Sequence, residues 1–268
     1  MHNKTAQALS AIQRLAGKAI GDFALLRSDD RVLVALSGGK DSWALLEVLV
    51  QLQKKAPICY QLQPAIVDPG FGGFDHAALR QSVEQRYNLP LHIIATEHAN
   101  VIREHLRPGS ACCAFCARLR RGALYGAADT LGCNVLALGH HRDDALETLL
   151  LNQFYSGSLS AMSASLLADN GRHRVIRPLI YVPEALIQRW ISSSGLVTQS
   201  CNCPQEALID QKRQTMKTLL DQLEQDIPQV RNSLLNALAN VQPRHLLDRK
   251  LWPAPSQTGD IETATGAQ

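Results

Sequence analysis

The chain has 268 residues, 46% of them hydrophobic and 19% charged, which excludes disorder as its main state and leaves enough apolar residues for a sizeable core. Lysine and arginine number 27 against 24 aspartates and glutamates, a formal charge of +3. That is too small to make the whole surface a polyanion magnet, so a nucleic-acid partner would be held by local patches. No apolar run approaches the roughly 18 residues of a membrane span. The opening MHNKTAQALS lacks the charged-then-apolar pattern of a secretory signal, so the expectation is a cytoplasmic protein without membrane contact. Seven cysteines, odd in number and bunched as Cys112, Cys113, Cys116 and Cys201, Cys203, do not read as a disulfide framework. They read as metal ligands or redox thiols.

In chain order, Leu9, Ile12, Leu15, Ala16, Ile20 and Phe23 fall at helical spacing and predict an amphipathic helix from Thr5 to Leu26, packed on the domain C-terminal to it. The run Arg31 to Ser37 reads as a buried strand, Gly38 and Gly39 as a turn, and Asp41 to Gln53 as a helix. The alternation continues with a strand at Pro64 to Asp68, a helix at Asp75 to Tyr87, a strand at Leu91 to Thr96 before another helix, and a strand at Asn134 to His140 before a helix at Arg142 to Phe154. Val175 to Ile180 is a candidate fifth strand. Buried strands alternating with helices predict an α/β fold with a doubly wound, mostly parallel five-stranded sheet. Beyond Pro183 only helices are expected, the last two at Ala207 to Glu224 and Pro228 to Asn240, with a disordered tail after Trp252. The boundaries are therefore an N-terminal helix at 1–27, a main domain at 28–183, a helical C-terminal region at 184–251 and a tail at 252–268.

Ser37-Gly38-Gly39-Lys40-Asp41-Ser42 lies where a parallel strand meets a helix N-terminus, the edge at which open α/β sheets bind ligands. Two glycines let the backbone approach an anion, successive N–H groups and the helix dipole point at it, and Ser37, Lys40 and Ser42 add donors. The spacing is neither Walker A nor the dinucleotide G-x-G-x-x-G.

This hexapeptide resembles the pyrophosphatase loop of the N-type ATP pyrophosphatases, the PP-loop superfamily, which activates a substrate oxygen by transferring AMP to it. Together with Gly21 to Leu46, Cys112 to Tyr125, Leu136 to Tyr155 and Arg174 to Val182, it is similar to the TtcA family, the tRNA 2-thiocytidine synthetases. The fold implied is adenine nucleotide alpha hydrolase-like. The activity implied is ATP-dependent conversion of a tRNA anticodon-loop cytidine, at position 32, to 2-thiocytidine.

The second strand-to-helix loop, Gly139-His140-His141-Arg142-Asp143-Asp144, is expected at the same sheet edge, so its carboxylates reach a phosphate-bound metal. Mg²⁺ takes a few carboxylates plus water and phosphate oxygens, which suits Asp41 and Asp144 with Asp143 in support. Asp143 and Asp144 also read simply as favourable charges at a helix N-terminus. His140 and His141 are candidate phosphate donors or structural histidines. Asp68, ending the second strand, is a candidate contact for ribose or adenine, or a turn former.

Cys113-Ala-Phe-Cys116 has the spacing for two thiolates on one metal, and the adjoining Arg118, Arg120 and Arg121 lower thiol pKa values and pair with phosphate. Zinc, a redox pair and chance are alternatives; Cys201 and Cys203 are spaced unusually for zinc. Cys59 and Cys133 sit in apolar surroundings and are expected to be buried. The resemblance implies a 4Fe-4S cluster on three cysteines, Cys113, Cys116 and one of Cys201 and Cys203, with Cys203 favoured because a proline turn comes after it. The family tends to carry two residues between that last pair, whereas here there is one. The catalytic set implied is Lys40, Asp41, Cys113 and Cys116. The candidate RNA-binding residues are Arg118, Arg120, Arg121 and Arg177, with Arg172, Arg174, Lys212, Arg213 and Lys217 as further basic groups. Expected partners are tRNA, a sulfur donor such as a cysteine desulfurase, and, by the resemblance, a second copy of the chain. Rival expectations are a persulfide-dependent PP-loop tRNA enzyme without a cluster and a non-catalytic zinc or RNA-binding module.

Overall fold

A computed structural model describes residues 2–72, 75–105, 112–169, 171–199 and 211–251, with backbone alone at 2–4 and 112–114. The tail at 252–268, Cys201, Cys203 and the first residues of the helix expected from Ala207 lie outside the described residues.

Helix α1 (His2–Asp22) buries Ala8, Ile12, Ala16 and Ala19 against the rest of the chain. Strand β1 (Asp30–Leu36) and helix α2 (Lys40–Gln53) flank the glycine loop. Next come β2 (Tyr60–Asp68), α3 (His76–Tyr87), β3 (His92–Ala95), α4 (His98–His105), α5 (Cys112–Thr130), β4 (Val135–Ala137) and α6 (Arg142–Ser156). The described chain continues through β5 (Ser165–Leu167), β6 (Arg174–Ile176), α7 (Glu184–Ile191), α8 (Gln211–Asp226) and α9 (Val230–Ala239).

The strands form a six-stranded sheet in the order β3-β2-β1-β4-β6-β5, parallel except for the β5–β6 pair. The sheet order reverses between β1 and β4, and such a switch point opens a crevice at the carboxyl edge. The loops after these two strands are the two loops singled out by sequence. Both faces of β1 are covered: Val32, Val34 and Leu36 join the cluster under α1, α2 and α7, while Leu33 joins the one under α5. This is the burial of a central parallel strand. Helices α6 and α8 build a smaller core from Leu146, Leu150, Met216 and Leu220, on which Leu234 and Leu235 of α9 pack.

Three expectations are corrected. The sheet has six strands, not five; three-residue β5 is too short to show a period. The strand expected over Val175 to Ile180 ends at Ile176, because the chain turns there, Ile180 N–H donating to Arg177 O and Val182 N–H to Leu179 O. Strand β2 begins four residues before Pro64: β3 pairs only from Ala65 onward, so at Pro64 the strand still has one open side, the kind of position at which a strand tolerates proline. Among the described residues no helix is long and apolar enough to cross a membrane.

Candidate active site

The glycine loop is held by its own side chains. Ser42 Oγ donates to Gly39 O (2.8 Å) and accepts from Ser37 N–H (3.1 Å), and Gly38 has φ +79°, where a side chain would be strained. Gly39 caps α2 without any side-chain hydrogen bond. The first N–H groups of α2 are therefore left for an anion. The second loop presses directly on the first: a Cβ on Gly139 would stand 3.0 Å from Asp41 O and 3.2 Å from Ser42 N. Close approach of two backbones explains that glycine.

Between the loops opens a cleft of about 610 Å³, lined among others by Ser37, Asp41, Ser42, His140, Asp144, Arg120, Arg121, Arg177 and Arg213. Asp41 Oδ2 is 3.0 Å from Lys40 Nζ, whereas its Oδ1 is buried with no hydrogen-bond partner. The buried ring of His141 stands between the two acids, Nε2 3.6 Å from Asp41 Oδ1 and Nδ1 3.4 Å from the Asp144 N–H that it accepts. Asp144 closes the capping box by accepting from His141 N–H (2.9 Å), and its other oxygen takes Arg213 (3.3 Å). His141 is thus a cap and spacer. His140 lies one residue away, its Nδ1 buried without a partner; burial, reinforced by Arg177 and Arg213 against the pull of Asp144, drives its pKa down to about 4. It is neutral at physiological pH, available as donor or acceptor rather than as a cation.

Asp143 is not at the cleft. It accepts from Glu184 N–H (2.8 Å), Arg231 (2.8 Å) and Arg142 (3.2 Å), so its oxygens are spent on holding α7 and α9, and the expectation of metal support from it is withdrawn. Against the cost of burial, these partners keep it ionised. Asp68 does end β2 at the same edge, but accepts from Gly70 N–H (2.8 Å) and pairs with His76 (2.8 Å), as a turn former does.

Sequence reasoning missed two acids. Glu184 joins Lys40 (3.0 Å) to Lys217 (2.8 Å), and although burial opposes its charge the two lysines hold its pKa down at about 2. Lys40 is likewise burdened by burial, yet Asp41 and Glu184 raise its pKa overall. Glu147, one turn after Asp144, is buried and pushed up to about 7 by desolvation and by Asp144. The available signal was Arg213 and Lys217, four apart on one face of α8. Expected to track RNA, both instead meet carboxylates of the site.

The remaining basic residues divide. On α5, Ala117, Arg120, Arg121 and Leu124 present one helical face to the cleft, while Arg118 is exposed outside that lining. Arg177 is tied to Ser163 O (2.7 Å) with Nε buried and unpartnered. Arg172 and Arg174 stand at the opposite, amino end of the sheet, paired with Asp129 and Asp30.

Cys116 is buried among Phe71, Ile102, Phe115 and Leu119, and Arg120 Nη2 approaches its sulfur at 4.0 Å. Cys113 lies one turn earlier on α5, so the two positions share a helix face. Cys201 and Cys203 fall outside the described residues, but the chain leading to them is anchored at the loop: Gln199 N–H donates to Gly38 O (3.0 Å), and its side chain binds both backbone groups of Asp75. Cys133 is buried, as expected, while Cys59 is exposed in the turn before β2, where its carbonyl accepts from Asp29 N–H.

Among the described residues no three His, Cys, Asp or Glu side chains gather to hold a metal by themselves. Two carboxylates, one with an orphaned buried oxygen, are nonetheless the donor set Mg²⁺ takes when phosphate and water complete its shell.

A family model described as the PP-loop domain matches residues 7–202. The chain is 55% identical over 240 residues to a tRNA-cytidine(32) 2-sulfurtransferase of Syntrophotalea carbinolica, covering 90% of this chain and 92% of that one. It is 53% identical to the protein of the same name from Pelobacter propionicus, covering 90% and 89%. Among solved structures it resembles the U34-tRNA thiolase NcsA of Methanococcus maripaludis, determined with its 4Fe-4S cluster, at TM-score 0.71 and 22% identity over 88% of this chain and 80% of that one. At that identity the likeness concerns the fold.

Proposed function

Because this chain belongs to the tRNA-cytidine(32) 2-sulfurtransferases, built on a PP-loop domain, we propose that its carboxyl-edge cleft adenylates a tRNA anticodon-loop cytidine with ATP and replaces the activated oxygen with sulfur. The observation that carries this reading is the orphaned Oδ1 of Asp41 beside the uncapped N-terminus of α2, facing Asp144 across His141.

The glycine loop and the first N–H groups of α2 receive the phosphates, and Lys40 neutralises charge developing on them as O2 of the base attacks the α-phosphate in line with departing pyrophosphate. Positioning and charge placement do most of this work. Asp41 and Asp144 would hold Mg²⁺, which supplies charge neutralisation on the phosphate oxygens. Neutral His140 offers an imidazole nitrogen beside them. Sulfide then attacks C2, the C–S bond forming as the C–O bond breaks and AMP departs. Cys113, Cys116 and Cys203, or Cys201 in its place, would hold a 4Fe-4S cluster, which supplies an open iron for the incoming sulfur; the apolar surroundings of Cys116 suit such a group. Arg120 lines the cleft and approaches the Cys116 sulfur at 4.0 Å, which supports a cysteine face close to the cleft.

A base can enter only when splayed from its loop. Arg120, Arg121 and Arg177 then meet it or its phosphates, with Arg118 on the outer approach. We assign the chain to the cytoplasm, with a cysteine desulfurase as the sulfur source, a homodimer as the working unit and the boundaries 1–27, 28–183, 184–251 and 252–268.

The test is anaerobic purification and iron and acid-labile sulfide analysis, then incubation with unmodified tRNA, ATP, Mg²⁺ and a sulfide source, reading 2-thiocytidine by nucleoside mass spectrometry. About four irons per chain and tRNA-dependent pyrophosphate release are expected. Cys113→Ala should lose iron and thiolation while retaining ATP binding. Thiolation by an iron-free Cys113→Ala protein would overturn the cluster assignment, and absence of pyrophosphate release would overturn the adenylation step.

A further inference from the structure

We propose that Glu184 is a positioning residue that holds the Lys40 ammonium at the mouth of the glycine loop, which makes the helical C-terminal region a working part of the nucleotide site. The inference rests on the reading of that cleft as an ATP site. Glu184 opens α7, and its backbone N–H is fixed by Asp143 Oδ2 at 2.8 Å. Asp143 is itself clamped by Arg231 of α9 at 2.8 Å, so the start of α7 is located by α6 and α9 together. From there the carboxylate reaches two ways, Oε1 to Lys40 at 3.0 Å and Oε2 to Lys217 of α8 at 2.8 Å, with only 16% of the side chain exposed.

The physical need is plain. A lysine ammonium rides on a flexible four-carbon stem. With Asp41 as its sole counter-charge it would sit on the carboxylate that the cation requires. Glu184 gives it a second anchor, so Lys40 can release Asp41 without losing a counter-charge. Lys217 on the far oxygen offsets the negative charge that Glu184 would otherwise present to a triphosphate. The residues of this relay come from α2, α7 and α8, and neither Glu184 nor Lys217 belongs to the glycine loop.

The test is a double-mutant cycle on equilibrium binding of α,β-methylene-ATP to the full chain, with and without Mg²⁺, using wild type, Glu184→Gln, Lys40→Ala and the double variant. Glu184→Gln should weaken binding about tenfold in the wild-type background and have no further effect in the Lys40→Ala background. Lys217→Met should show a smaller loss, about threefold, that also vanishes with Lys40→Ala. It carries the cycle if thermal unfolding shows that Glu184→Gln does not fold. Equal penalties in both backgrounds, or none, would overturn the inference while the ATP reading stands. A wild-type chain that does not bind the analogue would overturn the ATP reading and this inference with it.

Discussion

The two ends of the sheet each carry an aspartate and use it oppositely. At the amino end, Asp30 accepts from Asn134 Nδ2 (2.8 Å) on one oxygen and from Arg27 N–H (2.7 Å) and Arg174 (2.6 Å) on the other, so the carboxylate is satisfied. At the carboxyl end of the same strand, Asp41 keeps one oxygen buried and unmatched, and His140 Nδ1 beside it is unmatched too. A satisfied carboxylate ties strands together. An unsatisfied one lowers stability and awaits a ligand.

The sharpest way to break this contrast is to neutralise each acid. Asp41→Asn should cut pyrophosphate release about a thousandfold, ~4 kcal/mol of transition-state stabilisation, yet leave the urea midpoint unchanged or raised. Asp30→Asn should lower stability by about 3 kcal/mol, since it leaves Arg174 without its counter-charge, with turnover per folded molecule intact. If Asp41→Asn unfolds the protein and Asp30→Asn abolishes turnover, the assignment of the two ends is reversed. A smaller effect is expected at Gly139→Ala. The added Cβ, 3.0 Å from Asp41 O, must push the loops apart, weakening ATP binding by roughly tenfold or more at a stability cost of about 1–3 kcal/mol. Calorimetric titration that finds wild-type affinity would show the two loops to be independent.

The smallest effect concerns pH. Glu147, pushed up to about 7, keeps its proton in the folded chain after the unfolded chain has released it near 4.5, so it makes stability fall as pH rises across that window. Glu184, held down at about 2, acts the other way, its contribution being lost as pH falls below 4.5. Urea unfolding at pH 5 and pH 8 should show Glu147→Gln gaining on wild type at the higher pH by no more than about 3 kcal/mol. An equal difference at both values would mean that Glu147 does not titrate in this range.

Much of the site was legible because its core is local. Ser37 to Ser42 and Gly139 to Asp144 each contain their own glycines, donors and helix start, and the strand–helix alternation around them predicts that both open at one edge. Cys113 and Cys116 were legible for the same reason, being one turn apart on one helix. What could not be read were partnerships across the chain. Asp143 and Asp144 are neighbours in sequence, yet one faces Arg231 and the other the cleft, because successive residues of a helix point about 100° apart. Arg174 and Arg177, three residues apart, serve opposite ends of the sheet because β6 runs between them.

The parallel α/β framework, the anion-binding loop and the thiol pair were thus written in the amino-acid order, since each depends on backbone geometry within a few residues. Packing of distant segments was needed to make β5 a sixth, antiparallel strand, to leave Asp41 an unmatched oxygen, and to bring Glu184, Arg213 and Lys217 onto the loop from the C-terminal helices. The contact of α6 with α8 through Leu146, Leu150, Met216 and Leu220 brings Arg213 and Lys217 up to the site, and an apolar contact of that kind leaves no local mark on the charged residues it brings together.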